Sequence, residues 1–229
     1  MIANNIKYIS IIFFLVFSCD ISNAGAWLPS KHENQIIISA IQNNDNNQNI
    51  EIYFEHGINN HFAFVYEQGI AIENGANEIG EALIATRYKL YEKDNWVGAA
   101  QFGIVANEFS TLKDTKINYE IRALVGKGFS NGWANVEIGS RQCLGSNSLR
   151  WESTIGFNAF KSDKFILKAF GENDGCAKGI SRAQISYVKS IDLKPIDKEI
   201  AIEFGYREGI GNDKLYAPGR IIIGLWARF

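Results

Sequence analysis

"GRIIIGLWARF" (residues 219–229) alternates strictly: Ile221, Ile223, Leu225, Ala227 and Phe229 fall in one phase, and Arg220, Ile222, Gly224, Trp226 and Arg228 in the other. Successive side chains of a strand point to opposite faces, so the stretch reads as a β-strand with one wholly apolar face and one face carrying a charge at each end. Chain termini are usually polar and frayed. The fold therefore turns on which medium that apolar face meets.

The same alternation runs through the chain. In "INYEIRALV", Ile117, Tyr119, Ile121, Ala123 and Val125 oppose Asn118, Glu120, Arg122 and Leu124. In "EIAIEFGYR", Ile200, Ile202, Phe204 and Tyr206 oppose Glu199, Ala201, Glu203, Gly205 and Arg207. "WANVEIGSR" holds Asn135, Glu137 and Arg141 in one phase, and "LRWESTIGFNAF" holds Arg150, Glu152, Thr154 and Asn158 in one phase. The period predicts about twelve strands, near 35–42, 50–58, 61–70, 79–91, 96–106, 117–129, 133–143, 149–160, 165–172, 180–191, 199–209 and 219–229. Short connectors (59–60, 92–95, 130–132, 161–164) alternate with long or Asn-, Gly- and Asp-rich ones (43–49, 71–78, 107–116, 144–148, 173–179); only 192–198 is longer than this rule predicts.

Composition narrows the function classes. The 229 residues are 46% hydrophobic and 13% aromatic with only 3 prolines, a folded rather than disordered chain. A net charge of −2 offers no field for nucleic acid. Lys7, the apolar run Tyr8–Phe17 and the small residues Ser22, Ala24 and Ala26 have the layout of a cleaved signal peptide, taken as residues 1–24 with a single domain over 25–229. "VFSC" (16–19) offers a lipoprotein signal as the alternative, but Phe17 is bulky where small residues are usual and Asp20 follows. Beyond residue 27 no apolar run nears the roughly 18 residues of a membrane helix.

A chain with an export signal, whose last strand is apolar on alternate positions and ends in Phe, resembles the Gram-negative outer-membrane β-barrel proteins. The resemblance implies that Ile221, Ile223, Leu225, Ala227 and Phe229 close the barrel and carry the signal read by the barrel-assembly machinery. The start at Gly25-Ala26-Trp27 and the hairpin "IEIYFEHGINNHFAFVYEQG" (50–69) are also similar to small proteobacterial outer-membrane proteins of unassigned activity.

Physics leads to the same architecture. In hydrocarbon every backbone N–H and C=O must be paired, so strands can span only as a closed wall. An all-β, closed antiparallel up-and-down transmembrane barrel of about twelve strands follows, its apolar phase toward lipid and both ends on the short-turn, periplasmic side. A soluble sandwich would bury the apolar phase instead, and charges in mid-strand suit that poorly. Phe62, Phe64, Tyr91, Trp96, Phe129, Trp133, Phe160 and Phe165, all near short turns, are expected to form an interfacial girdle.

Inside the barrel, Glu120, Arg122, Arg141, Arg150, Glu152, Glu172, Arg182, Arg207 and Arg220 fall in the half nearer the long loops, six arginines against three glutamates. At low dielectric such a layer forms an anion-preferring constriction. Paired on neighbouring strands, the same residues make an ion-pair plug. The expectation is a small passive channel for hydrophilic solutes, and the alternative is a non-conducting structural or surface-interaction barrel.

Catalysis is not expected. His32 precedes the first strand, His56 and His61 flank a short turn, and no histidine is followed two residues on by a serine. His56 and His61 lack a third donor at hand for a metal, and Gly126–Gly128 end a strand rather than open a helix as a phosphate loop would. No cofactor is expected; the partners are outer-membrane lipid, the assembly machinery and the solute. Of the three cysteines, Cys19 leaves with the signal, and Cys143 and Cys176 both map to the long-loop rim, where an oxidising compartment would join them in a disulfide.

Overall fold

The computed structural model of the chain describes residues 26–43, 48–73, 76–107, 116–143, 146–160, 162–173, 179–191, 199–215 and 217–229. They form twelve strands: β1 (Asn34–Asn43), β2 (Gln48–Gly57), β3 (Phe62–Glu73), β4 (Ala76–Lys93), β5 (Trp96–Asn107), β6 (Lys116–Phe129), β7 (Gly132–Cys143), β8 (Ser146–Asn158), β9 (Lys164–Glu172), β10 (Ser181–Ile191), β11 (Glu199–Gly209) and β12 (Arg220–Arg228). A 3₁₀ turn, Gly211–Leu215, precedes β12. Each strand pairs antiparallel with its sequence neighbours, and β12 pairs with β1 to close the barrel. The seam runs from Gln35 opposite Arg228 to Asn43 opposite Arg220, and just beyond it the backbones of Asn34 and Phe229 exchange two hydrogen bonds of 2.7 and 3.0 Å.

Burial is inverted relative to a soluble protein. Ile221, Ile223 and Leu225 face outward and are exposed, as are Ile117, Tyr119 and Ile121 of β6 and Phe204 and Tyr206 of β11. The opposite phase is enclosed and mixed: Glu55, Arg87, Gln101, Glu120, Asn135, Arg141 and Glu203 are buried there together with apolar residues such as Val65, Leu83, Val105 and Leu124. Such an exterior suits hydrocarbon and would be an aggregation surface in water.

The turns explain where the strands stop. Asp94 and Asn95 link β4 to β5 with φ of 53° and 64°, the left-handed pair of a two-residue type I′ hairpin, which Asx side chains tolerate. β4 runs three residues longer at its start and two longer at its end than its period suggested, because register shifts at Gly69/Ile70 and Lys89/Tyr91 break the alternation on which the reading depended.

The aromatic girdle needs one correction. Phe62, Tyr91, Trp96, Phe129, Phe160 and Phe165 are exposed near the short turns, but Trp133 is 1% exposed and points inward. It shares the phase of Asn135 and Glu137, and its ring lies over Gly156 of β8, where a Cβ would come within 2.1 Å of it. Residues 1–24, with Cys19, and Cys176 lie outside the described residues, as does the side chain of Cys143 at the end of β7.

Candidate functional site

All nine residues expected on the constriction face the interior, but they fall into groups. Glu120 of β6 gathers three arginines: its carboxylate pairs closely with Arg122, accepts from Arg141 at 2.7 Å and from Arg150 at 3.1 Å. Antiparallel register makes this possible by setting Glu120 directly opposite Arg141. Arg122 also makes a bidentate pair with Glu67 at 2.9 and 3.0 Å, Arg141 reaches Glu81 at 2.7 Å, and Arg150 reaches Glu172 at 3.5 Å. Glu152 stands apart from this group, paired with Lys168 at 3.2 Å.

The remaining three, Arg182, Arg207 and Arg220, sit together on β10, β11 and β12. Arg207 and Arg220 are direct cross-strand partners, and like charges so placed repel. Arg207 is held by Glu51 in a bidentate pair of 2.7 and 2.9 Å, by Gln184 at 2.9 Å, and against the Phe170 ring at 5.0 Å. Arg220 donates to the Asn49 amide oxygen at 2.7 Å once that amide is oriented to satisfy both its groups, and its buried Nε has no partner. Among the described residues neither Arg182 nor Arg220 has a carboxylate in ion-pair contact. Among the described residues the carboxylates at this corner are Glu51, paired with Arg207, and Asp213, which accepts from the Ser181 N–H at 2.8 Å beside Arg182.

The sequence reading missed half of the lumen's charge. Among the described residues Glu51, Glu55, Glu67, Glu81, Glu137 and Glu203 also line the interior, against Arg87 and Lys168, so the arginine excess vanishes from the ring as a whole and survives at the β10–β12 corner. Arg87 is buried with Glu55 at 3.1 Å and Gln101 at 2.9 Å. Their signal was available, since each occupies the polar phase of its own strand. Between the two charge groups a cavity of about 390 Å³ remains, with Glu51, Glu67, Arg122, Trp133, Lys168 and Arg207 on its wall.

The histidines lie at the short-turn end, remote from these charges. His56 Nδ1 is 2.9 Å from Asn34 Oδ1, its ring lies 6.4 Å from that of His32, and His61 neighbours Tyr88 at the same separation. Among the described residues no group of three or more His, Cys, Asp or Glu side chains could hold a metal ion. Ile221, Ile223, Leu225, Ala227 and Phe229 lie along the outer face of the closing strand.

No family model and no curated protein sequence matches the chain. Solved structures do. The chain is similar to one described as "KdgM porin", with 8% identity, a TM-score of 0.59 and coverage of 85% of this chain and 98% of the other. It is similar to another described as "NanC porin", with 12% identity, a TM-score of 0.57 and the same coverages. At these identities the likeness is one of fold: both are closed barrels of outer-membrane porins.

Proposed function

We propose that the protein is a passive outer-membrane channel for small hydrophilic solutes, exported by its N-terminal segment, seated in lipid by its apolar exterior, and delivered through assembly-machinery recognition of the β12 residues ending in Phe229. The observation that carries the reading is the β10–β12 corner, where Arg182, Arg207 and Arg220 gather beside the lumen cavity and, among the described residues, only Arg207 is ion-paired, to Glu51. Unpaired guanidinium donors in a low-dielectric wall attract anions and retard cations. The network around Glu120 lends rigidity to the opposite wall.

A second reading has its own support. The pairs around Glu120, Glu81 and Glu67 neutralise most of the lumen between β4 and β8, as a non-conducting structural barrel would require. Single-channel recording in planar bilayers separates the two. The channel reading requires discrete conductance steps and a reversal potential on the anion side under a salt gradient. Replacing Arg150 and Arg182 with Gln should shift that potential toward cations. A folded wild-type barrel that passes no current favours the second reading.

A further inference from the structure

The segment ahead of β1 does not run along the outside of the wall. The Ala26 N–H donates to Asn135 Oδ1 on β7 at 3.2 Å. The Trp27 ring lies against Gly126 of β6, where a Cβ would fall 2.4 Å from it. The same ring packs against Val97, Ala99 and Leu124 on one side and the cluster of Trp133, Ile166, Val188 and Ala201 on the other. The chain then crosses to β2, where the carbonyl oxygens of Pro29 and Ser30 would lie 2.7 and 2.1 Å from a Cβ on Gly57. His32 N–H donates to Gly57 O at 2.7 Å, Ser30 N–H to the Glu33 carboxylate at 2.7 Å, and Glu33 pairs with Arg228. β7 and β2 stand nearly opposite each other in the closed ring.

We infer that residues 26–33 are a strap stretched across the short-turn mouth of the lumen, with Trp27 as the stopper that sets the aperture there. This rests on the channel reading. Two wall positions favour a seated strap: Gly57 and Gly126 are the points of closest approach, and any larger residue there would collide with it. The ring fills the gap between two apolar clusters of the inner wall near the short turns, whereas the groups around Glu120 and Arg207 lie toward the other mouth. An indole spanning that gap both buries its own surface and narrows the path.

Two measurements on the exported, folded barrel test this. First, in a chain with Cys143 and Cys176 changed to Ser, a Leu28→Cys thiol should react slowly with a charged maleimide, because Leu28 packs against Val97, Ala99 and Leu124. Adding Gly126→Leu, which pushes Trp27 from its seat, should accelerate the reaction severalfold. Second, single-channel conductance should rise severalfold in Trp27→Gly and, independently, in Gly126→Leu. Equal labelling rates with and without Gly126→Leu would show that the strap is not seated and overturn the inference. A protected thiol with identical conductance in the wild type and Trp27→Gly would remove the stopper role while leaving the channel reading intact. Silence from the wild type and both variants, with the thiol behaving as expected, would overturn the stopper and the channel together.

Discussion

Glu120 is the carboxylate on which three arginines of the lumen converge. Its side chain is 1% exposed, and one carboxylate compensates Arg122, Arg141 and Arg150 at once. Removing one member of a buried ionic group leaves its partners charged and unsatisfied, which costs far more than the group gains from being there. Glu120→Gln keeps the shape and deletes the charge, so we expect a loss of about 3 kcal/mol in unfolding free energy, measured by urea titration of the detergent-solubilised barrel. Arg182→Gln, which breaks no ion pair among the described residues, should change stability far less. At this scale the sequence was only half legible. Which face each residue occupies follows from alternation within its own strand, but which partner it meets does not. Arg141 and Glu81 lie 60 positions apart on strands that are not neighbours, and only the curvature of the closed wall brings them together.

β12 shows how an element can be read almost completely. Its extent and its phase follow from the alternation of residues 219–229, because a closed membrane wall demands the same pattern on every strand, while its place at the seam beside β1 was implied only by the resemblance to outer-membrane barrels. Ile223 sits near the middle of β12, outward and exposed, beside Ala40 of β1. Ile223→Arg places a charge at the centre of the apolar band and should destabilise the folded barrel by about 2–4 kcal/mol in lipid vesicles. The same substitution should cost much less at Ile221, nearer the rim. An equal cost at both positions would mean that the band is not centred on the strand. Elements with broken periods were read less well. The length of β4 was hidden by its two register shifts, and residues 26–33 offered no period at all, since a strap that crosses a lumen has no reason to alternate. Its only signal was an isolated Trp among small residues just ahead of the first strand.

Taken whole, the barrel has a neutralised wall on one side of its lumen and a cationic corner on the other. If that corner sets ion preference through its field, preference should depend on ionic strength. The screening length falls from about 10 Å at 0.1 M salt to about 3 Å at 1 M. The reversal potential under a fixed tenfold gradient should therefore move toward zero selectivity as both baths are concentrated. A preference unchanged by salt would point to direct contact with the guanidinium groups instead of the field.

The hydrogen-bonded meeting of β1 and β12 has a consequence of another kind. As a graph of strand neighbours the wall is a cycle, in which every strand has two partners and none is first or last. A permuted gene that began at β8 and reached β1 through a short peptide after Phe229 would keep every rung of the ladder. What distinguishes β1 is the strap in front of it, so the permutation would place residues 26–33 in an internal loop covalently tethered at both ends, still obliged to find its seat between Gly126 and Gly57.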